Sequence, residues 1–187
     1  MSWILLGILA VLALGGITIY NRLVALRQTT NQAWSDVDVQ LKQRYDLIPN
    51  LVETVKGYAT HERETLDAVI KARNSAMAAS GPAETAAAEN VLTGALRQLF
   101  ALAEAYPDLK ANTNFLQLQT ELSDLENKIA AARRFFNNAV QEYNSATEQF
   151  PAVLFARSLG FSQRTFFEVA EGERTAIQAP PKVGFGS

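Results

Sequence analysis

Apolar side chains recur along this chain with helical spacing, and the longest such run, from Phe115 to Phe150, is the one the rest must be arranged around. Phe115, Leu122, Ile129, Phe136, Tyr143 and Phe150 fall every seven residues, and Leu118, Leu125, Ala132, Ala139 and Ala146 fall three positions later. Spacing of three then four puts both rows on one narrow stripe of a helix. That helix would be about 54 Å long. Its large apolar side chains need walls supplied by other helices. The second row shrinks from leucine to alanine, which lets a partner helix come closer towards the Phe150 end.

The preceding sequence supplies those walls. Leu23, Leu26, Thr30, Ala33, Trp34, Val37, Leu41 and Tyr45 form one helical stripe, and Ile48, Val52, Val55, Tyr58 and Ala59 continue it. Asp46 stands three residues before Pro49, a cap followed by a residue tolerated in a first turn, so the expected break is a turn or sharp kink at 46–49. The stripe keeps its phase across Pro49, so a kinked continuous helix with Gly57 as a second weak point is the other possibility. Leu66, Val69, Ile70 and Met77 precede the strong breaker Ser80-Gly81-Pro82. Pro82 suits a first helical position, and Glu84 meets the positive end of the helix dipole. Ala88, Leu92, Ala95, Leu99, Leu102 and Tyr106 write a third segment, closed by Tyr106-Pro107-Asp108. Asn112 or Thr113 then caps the long helix. No stretch alternates with period two. The expected fold is therefore all-α, an N-terminal transmembrane helix followed by an antiparallel up-and-down four-helix bundle.

The transmembrane assignment rests on residues 3–20, which carry no charge; the first charged side chain is Arg22. A run of about 20 residues spans the ~30 Å hydrocarbon core of a bilayer. Trp3, Ile4, Leu5, Leu6, Ile8, Leu9, Val11, Leu12, Leu14, Ile17, Ile19 and Tyr20 are the expected membrane-spanning side chains, with Trp3 and Tyr20 at interfacial depths. A cleaved signal peptide fits less well, because no basic residue precedes the apolar run and the pattern passes directly into a helical one. Arg22 and Arg27, then Lys42 and Arg44, follow the span. The positive-inside rule places the N-terminus outside and the body in the cytoplasm, as a single-pass membrane protein.

Composition narrows the chemistry. A formal net charge of -2 leaves no basic excess for a phosphate backbone, so no nucleic-acid partner is expected. The chain has no cysteine, which removes disulfides, thiolate metal sites and a thiol nucleophile. His61 is the one histidine, Thr65 stands where a zinc-protease helix needs its second, and no glutamate lies three residues before it. There is no phosphate-binding glycine loop and no recognisable nucleophile setting. No cofactor, metal site or enzymatic activity is expected.

Tyr20-Asn21-Arg22-Leu23-Val24, the block from Ala33-Trp34-Ser35-Asp36-Val37 to Leu41-Lys42, Arg44-Tyr45-Asp46-Leu47-Ile48-Pro49-Asn50-Leu51-Val52, and Val55-Lys56-Gly57-Tyr58-Ala59 with His61-Glu62 resemble the LemA family. Tyr106-Pro107-Asp108-Leu109-Lys110, Arg133-Arg134, Tyr143-Asn144, Phe150-Pro151 and Gly160-Phe161 resemble its later landmarks in the same order. Phe136 departs from the tyrosine expected before an asparagine, a difference of one hydroxyl. The resemblance implies an N-terminal membrane anchor, a four-helix bundle and no established enzymatic activity.

Two surfaces are candidates for interaction. Trp34, Asp36, Asp38, Lys42, Arg44 and Asp46 flank the first apolar stripe. They read as a solvated flank that sets bundle register, or as a contact surface for another copy or another protein; Trp34, on the stripe, reads as a core anchor ahead of an exposed hot spot. The tail is the second surface. With an even number of antiparallel helices the chain returns to the membrane side, carrying Phe150, Val153, Leu154, Phe155, Leu159, Phe161, Phe166 and Phe167 with Arg157 and Arg164, of which Phe155, Arg157, Phe161, Arg164, Phe166 and Phe167 are the foremost candidates. Those residues suit a lipid interface, while a short helix over 151–159, stopped by Gly160, would instead cap the bundle end.

The expected domain layout is a transmembrane helix at 1–21, the bundle at 22–150, a short aromatic tail at 151–170 and a loose end at 171–187. The function expected is that of a membrane-anchored scaffold or organiser, acting through self-association into homo-oligomers and contact with the lipid bilayer. A regulatory adaptor of a membrane protease or sensor, with a membrane-protein partner, is the alternative. A metalloenzyme using carboxylates alone is a distant third.

Overall fold

In the computed structural model the described residues are 2–168, and their regular structure is entirely helical. Five α-helices follow one another: α1 (Ser2–Lys56), α2 (Arg63–Ala78), α3 (Gly81–Ala103), the single-turn α4 (Pro107–Lys110) and α5 (Thr113–Glu148). Two 3-10 turns, Ala152–Leu154 and Arg157–Leu159, form the tail. The loose end expected at 171–187 lies outside the described residues.

Of the turn or sharp kink expected at 46–49, no turn occurs. α1 runs unbroken through Pro49 and ends at Lys56. Proline inside a helix removes one N–H, here the donor that would serve the Tyr45 carbonyl, and ordinarily costs about 3 kcal/mol. Arg73 of α2 supplies the missing donor, its Nε lying 2.7 Å from that carbonyl. The chain turns instead at the second weak point: the amides of Gly57 and Ala59 close back on the Glu53 and Val55 carbonyls at 3.3 and 2.9 Å. The later boundaries follow the sequence signals. Gly81 takes the left-handed φ of 77° at the start of α3. Asn112 caps α5, its Oδ1 accepting from the Phe115 amide at 3.0 Å.

The chain divides into two compact units. The first comprises residues 1–44 and 123–166. Its body is an antiparallel helix pair: Arg44 of α1 meets Glu126 of α5 at 3.0 Å, Trp34 lies against Phe136 with ring centroids 5.3 Å apart, and Leu23 clusters with Tyr143 and Ala146. The numbering falls along α1 as it rises along α5, which is the antiparallel register. Ile129, Phe136, Ala139, Tyr143 and Ala146 of the heptad rows are buried, whereas Phe150, two residues past the end of α5, is 80% exposed.

The second unit comprises residues 45–122 and the chain from Phe167. Here α2 packs on α3. Tyr45 donates its hydroxyl to Glu89 of α3 at 2.6 Å, a buried bond. Phe100 of α3 presents an edge to Phe115 of α5, centroids 6.1 Å apart. Ile48, Leu51, Val55, Val69, Leu92, Leu99 and Leu109 are wholly buried in this unit. Tyr106 donates to Glu62 at 3.2 Å; partial desolvation and the neighbouring carboxylate push its phenol above the ordinary value.

Candidate functional site

The first half of α1 leaves its apolar side chains uncovered. Trp3, Ile4, Leu5, Leu6, Ile8, Leu9, Val11, Leu12, Leu14, Ile17 and Tyr20 are exposed, and only Ile19 of the expected spanning set is half-buried. The most apolar window of this helix has a mean hydropathy of 2.3, and none of it is buried by the protein. Length and composition make it a candidate span.

At the end of that run the tail folds onto the helix pair. Ala152, Ala156 and Phe161 turn inward and join Leu23, Tyr143 and Ala146 in one buried cluster, with Ile19, Val24 and Leu26 packed around it. Phe161 meets Tyr20 edge-on at 5.6 Å between centroids, and the Arg27 guanidinium lies over its ring, 5.0 Å from the ring centre. Gly160 permits this entry, stopping the second 3-10 turn at φ 78°.

Arg164 latches the tail. Its amide donates to Asn144 Oδ1 at 2.8 Å, and its carbonyl accepts from Asn144 Nδ2 at 2.9 Å. One guanidinium nitrogen donates to Thr30 Oγ1 at 2.5 Å, and the group lies over the Tyr143 ring at 5.5 Å. Thr30 itself is fully buried and donates to the Arg27 carbonyl at 2.8 Å.

These contacts correct the expected membrane-facing set. Phe161 and Phe167 are each 2% exposed, so neither ring is available to lipid. Arg164 points into the protein, where a neutral hydroxyl and an aromatic face hold its charge. Phe155 is half-buried, while Arg157 and Phe166 remain exposed. The tail therefore has two faces. The inward one caps the helix pair, and the outward one carries Phe150, Val153, Leu154 and Leu159, exposed to between 47% and 80%.

The charged flank also divides. Asp36, Asp38, Lys42 and Asp46 are exposed on α1, and Trp34 is half-buried against Phe136. Arg44 is not part of that surface: only 3% of its side chain is exposed, and Glu126 neutralises it. A buried guanidinium with its carboxylate partner is a register device, because losing the partner leaves a costly charge. Val39 lies exposed between the acidic and basic members of the flank.

Sequence reasoning missed three residues that organise these sites. Asn144 carried no signal beyond its place beside Tyr143. Thr30 did carry one, a hydroxyl in the middle of an apolar stripe, which must find a partner when buried. Arg73 was undetectable, since its role depends on where α2 folds back. Among the described residues no group of three or more His, Asp or Glu side chains converges as a metal site would require.

The model of the LemA family matches residues 33–185. Protein LemA of Metamycoplasma hominis is 29% identical, over 84% of this chain and 72% of the relative. Magnetosome protein MamQ of Magnetospirillum gryphiswaldense is 24% identical, over 86% of this chain and 69% of the relative. Magnetosome protein MamQ 2 of Paramagnetospirillum magneticum is similar to the same extent, 24% identical over 86% and 69%.

Proposed function

Because the chain belongs to the LemA family, we propose that it is a membrane-anchored, non-enzymatic organiser that works by self-association at the cytoplasmic face of the bacterial inner membrane. The observation that carries this reading is the uncovered apolar run of α1, which continues without interruption into the helix pair of the first unit. Water does not tolerate so long an apolar surface, and a bilayer of matching thickness removes it. Arg22 and Arg27 follow the run and favour a cytoplasmic body with the N-terminus outside.

The body is read as an up-and-down four-helix bundle; residues 45–122 bring together four helical segments, from α1, α2, α3 and α5. Asp36, Asp38, Val39 and Lys42 offer an exposed strip of both charges around one apolar side chain, the composition of a protein contact rim.

The test is the mass of full-length particles extracted in mild detergent, corrected for bound detergent. A discrete multiple of 20.5 kDa is expected, and Asp36→Lys with Asp38→Lys should lower it while helical content stays constant. A monomer, or a one-to-one complex with a different polypeptide, overturns self-association and makes the protein an adaptor for that partner.

A further inference from the structure

Outside the anchor, the first unit exposes large apolar side chains at Val39, Phe135, Phe150, Val153, Leu154, Leu159 and Phe166. Five of these seven lie between Phe150 and Phe166, at the end of α5 and along the short tail, so they are concentrated in one stretch of the chain. We infer that this outward face, centred on Phe150, Val153 and Leu154, seats in the boundary between headgroups and acyl chains of the bilayer that α1 spans. The inference rests on the anchor reading and adds a second, non-spanning point of membrane attachment.

Position argues for lipid as the occupant. The tail's inward face packs on Ile19, Leu23, Val24 and Leu26, and Phe161 touches both Tyr20 and Arg27. Those α1 residues cover about 12 Å of helix axis, beginning where the apolar run ends. The headgroup region on one side of a bilayer is about 5–8 Å deep, and interfacial segments bury about 5–10 Å into that boundary. The tail is thus held at the depth where the span emerges, beside an apolar surface that already requires lipid.

Charge is not the basis of this attachment. Of the basic side chains near the tail, Arg27 is engaged by Phe161 and Arg164 by Thr30 and Tyr143. Arg22 and Arg157 remain exposed, but Glu148 stands at the same end of α5, bonded to Gln163. A mixed rim of this kind gives little preference for anionic lipid. The apolar face should therefore insert into a zwitterionic bilayer and stay inserted at high salt.

The chain contains no cysteine, so single nitroxide labels can be placed in the full-length protein without background. The experiment uses Leu154→Cys and Phe150→Cys, with Leu9→Cys in the span and Asp36→Cys on exposed α1 as references, in one-copy phosphatidylcholine nanodiscs. Labels at 154 and 150 should show a several-fold higher ratio of oxygen to water-soluble nickel collisions than the label at 36, unchanged in 1 M salt as a chosen condition about an order of magnitude above the ionic strength of a 10 Å Debye length. Collision ratios matching Asp36→Cys, with Leu9→Cys in lipid, overturn the tail inference and leave the anchor standing. Shielding from both reagents means that protein covers the patch, which also overturns it. A water signal at Leu9→Cys removes the anchor reading and the inference together. Because Leu154 is 72% and Phe150 80% exposed, neither label should disturb folding.

Discussion

Asn144 holds the tail through backbone groups, one side-chain amide satisfying both the N–H and the carbonyl of Arg164. The tail segment around it has no helix or strand of its own, so this bracket does the work that a ladder does elsewhere. Asn144→Ala should destabilise the docked tail by about 1–3 kcal/mol. Amide exchange at residues 161–166 should quicken, while exchange in the middle of α5 stays slow. Unchanged protection at those amides would mean that the Phe161 cluster alone holds the tail. At this scale the sequence displayed the partners without displaying the partnership. Tyr143-Asn144 and Gly160-Phe161 were visible as landmarks, but a contact across 20 residues has no local signature.

At the scale of elements, the heptad rows placed α5 to within a few residues, and the same periodicity placed α2 and α3. Periodicity reports which face is buried, and it reads directly because helical geometry is the same everywhere. The end of α1 was not legible for the opposite reason. Pro49 has a known cost in a helix, yet Arg73 offsets that cost from another helix, bonding the Tyr45 carbonyl 28 residues before it. The two residues should therefore be coupled. Arg73→Met should destabilise by about 1–3 kcal/mol by orphaning the Tyr45 carbonyl. In a Pro49→Ala background the restored N–H serves that carbonyl, and the same Arg73→Met change should cost distinctly less. Urea unfolding of the four proteins measures the coupling. Additive effects would show that the Arg73 bond is incidental to the unbroken helix.

For the molecule as a whole, the uncovered apolar run makes α1 a candidate span, and the arginines after it are the basis of the proposed orientation. Ser80 is exposed between α2 and α3, so a Ser80→Cys probe reports which side holds the body. An impermeant maleimide should leave it unlabelled in intact cells and modify it after permeabilisation. Efficient labelling of intact cells reverses the orientation. The proposed seating of the tail's outward apolar face in the bilayer belongs at this scale too, because its consequence would be mechanical. A single spanning helix is free to rotate and tilt, whereas a second contact at the interface restrains both.

What the sequence alone determined was everything set by local repetition and local composition: the helical class, the buried stripes, the breakers at Ser80-Gly81 and Pro107, and an apolar run long enough for a bilayer. Each depends on neighbours within a few turns, so the chain states it directly. What only the tertiary structure decided was the fate of side chains whose partners come from elsewhere. Arg44 became a buried register pair because Glu126 arrives from α5, and Pro49 stayed inside a helix because Arg73 arrives from α2. The tail split into a capping face and an exposed one because its two 3-10 turns fit against α1 on one side only. Burial is a property of the whole chain's path, and a polar or aromatic residue cannot declare in one dimension which neighbour will complete it.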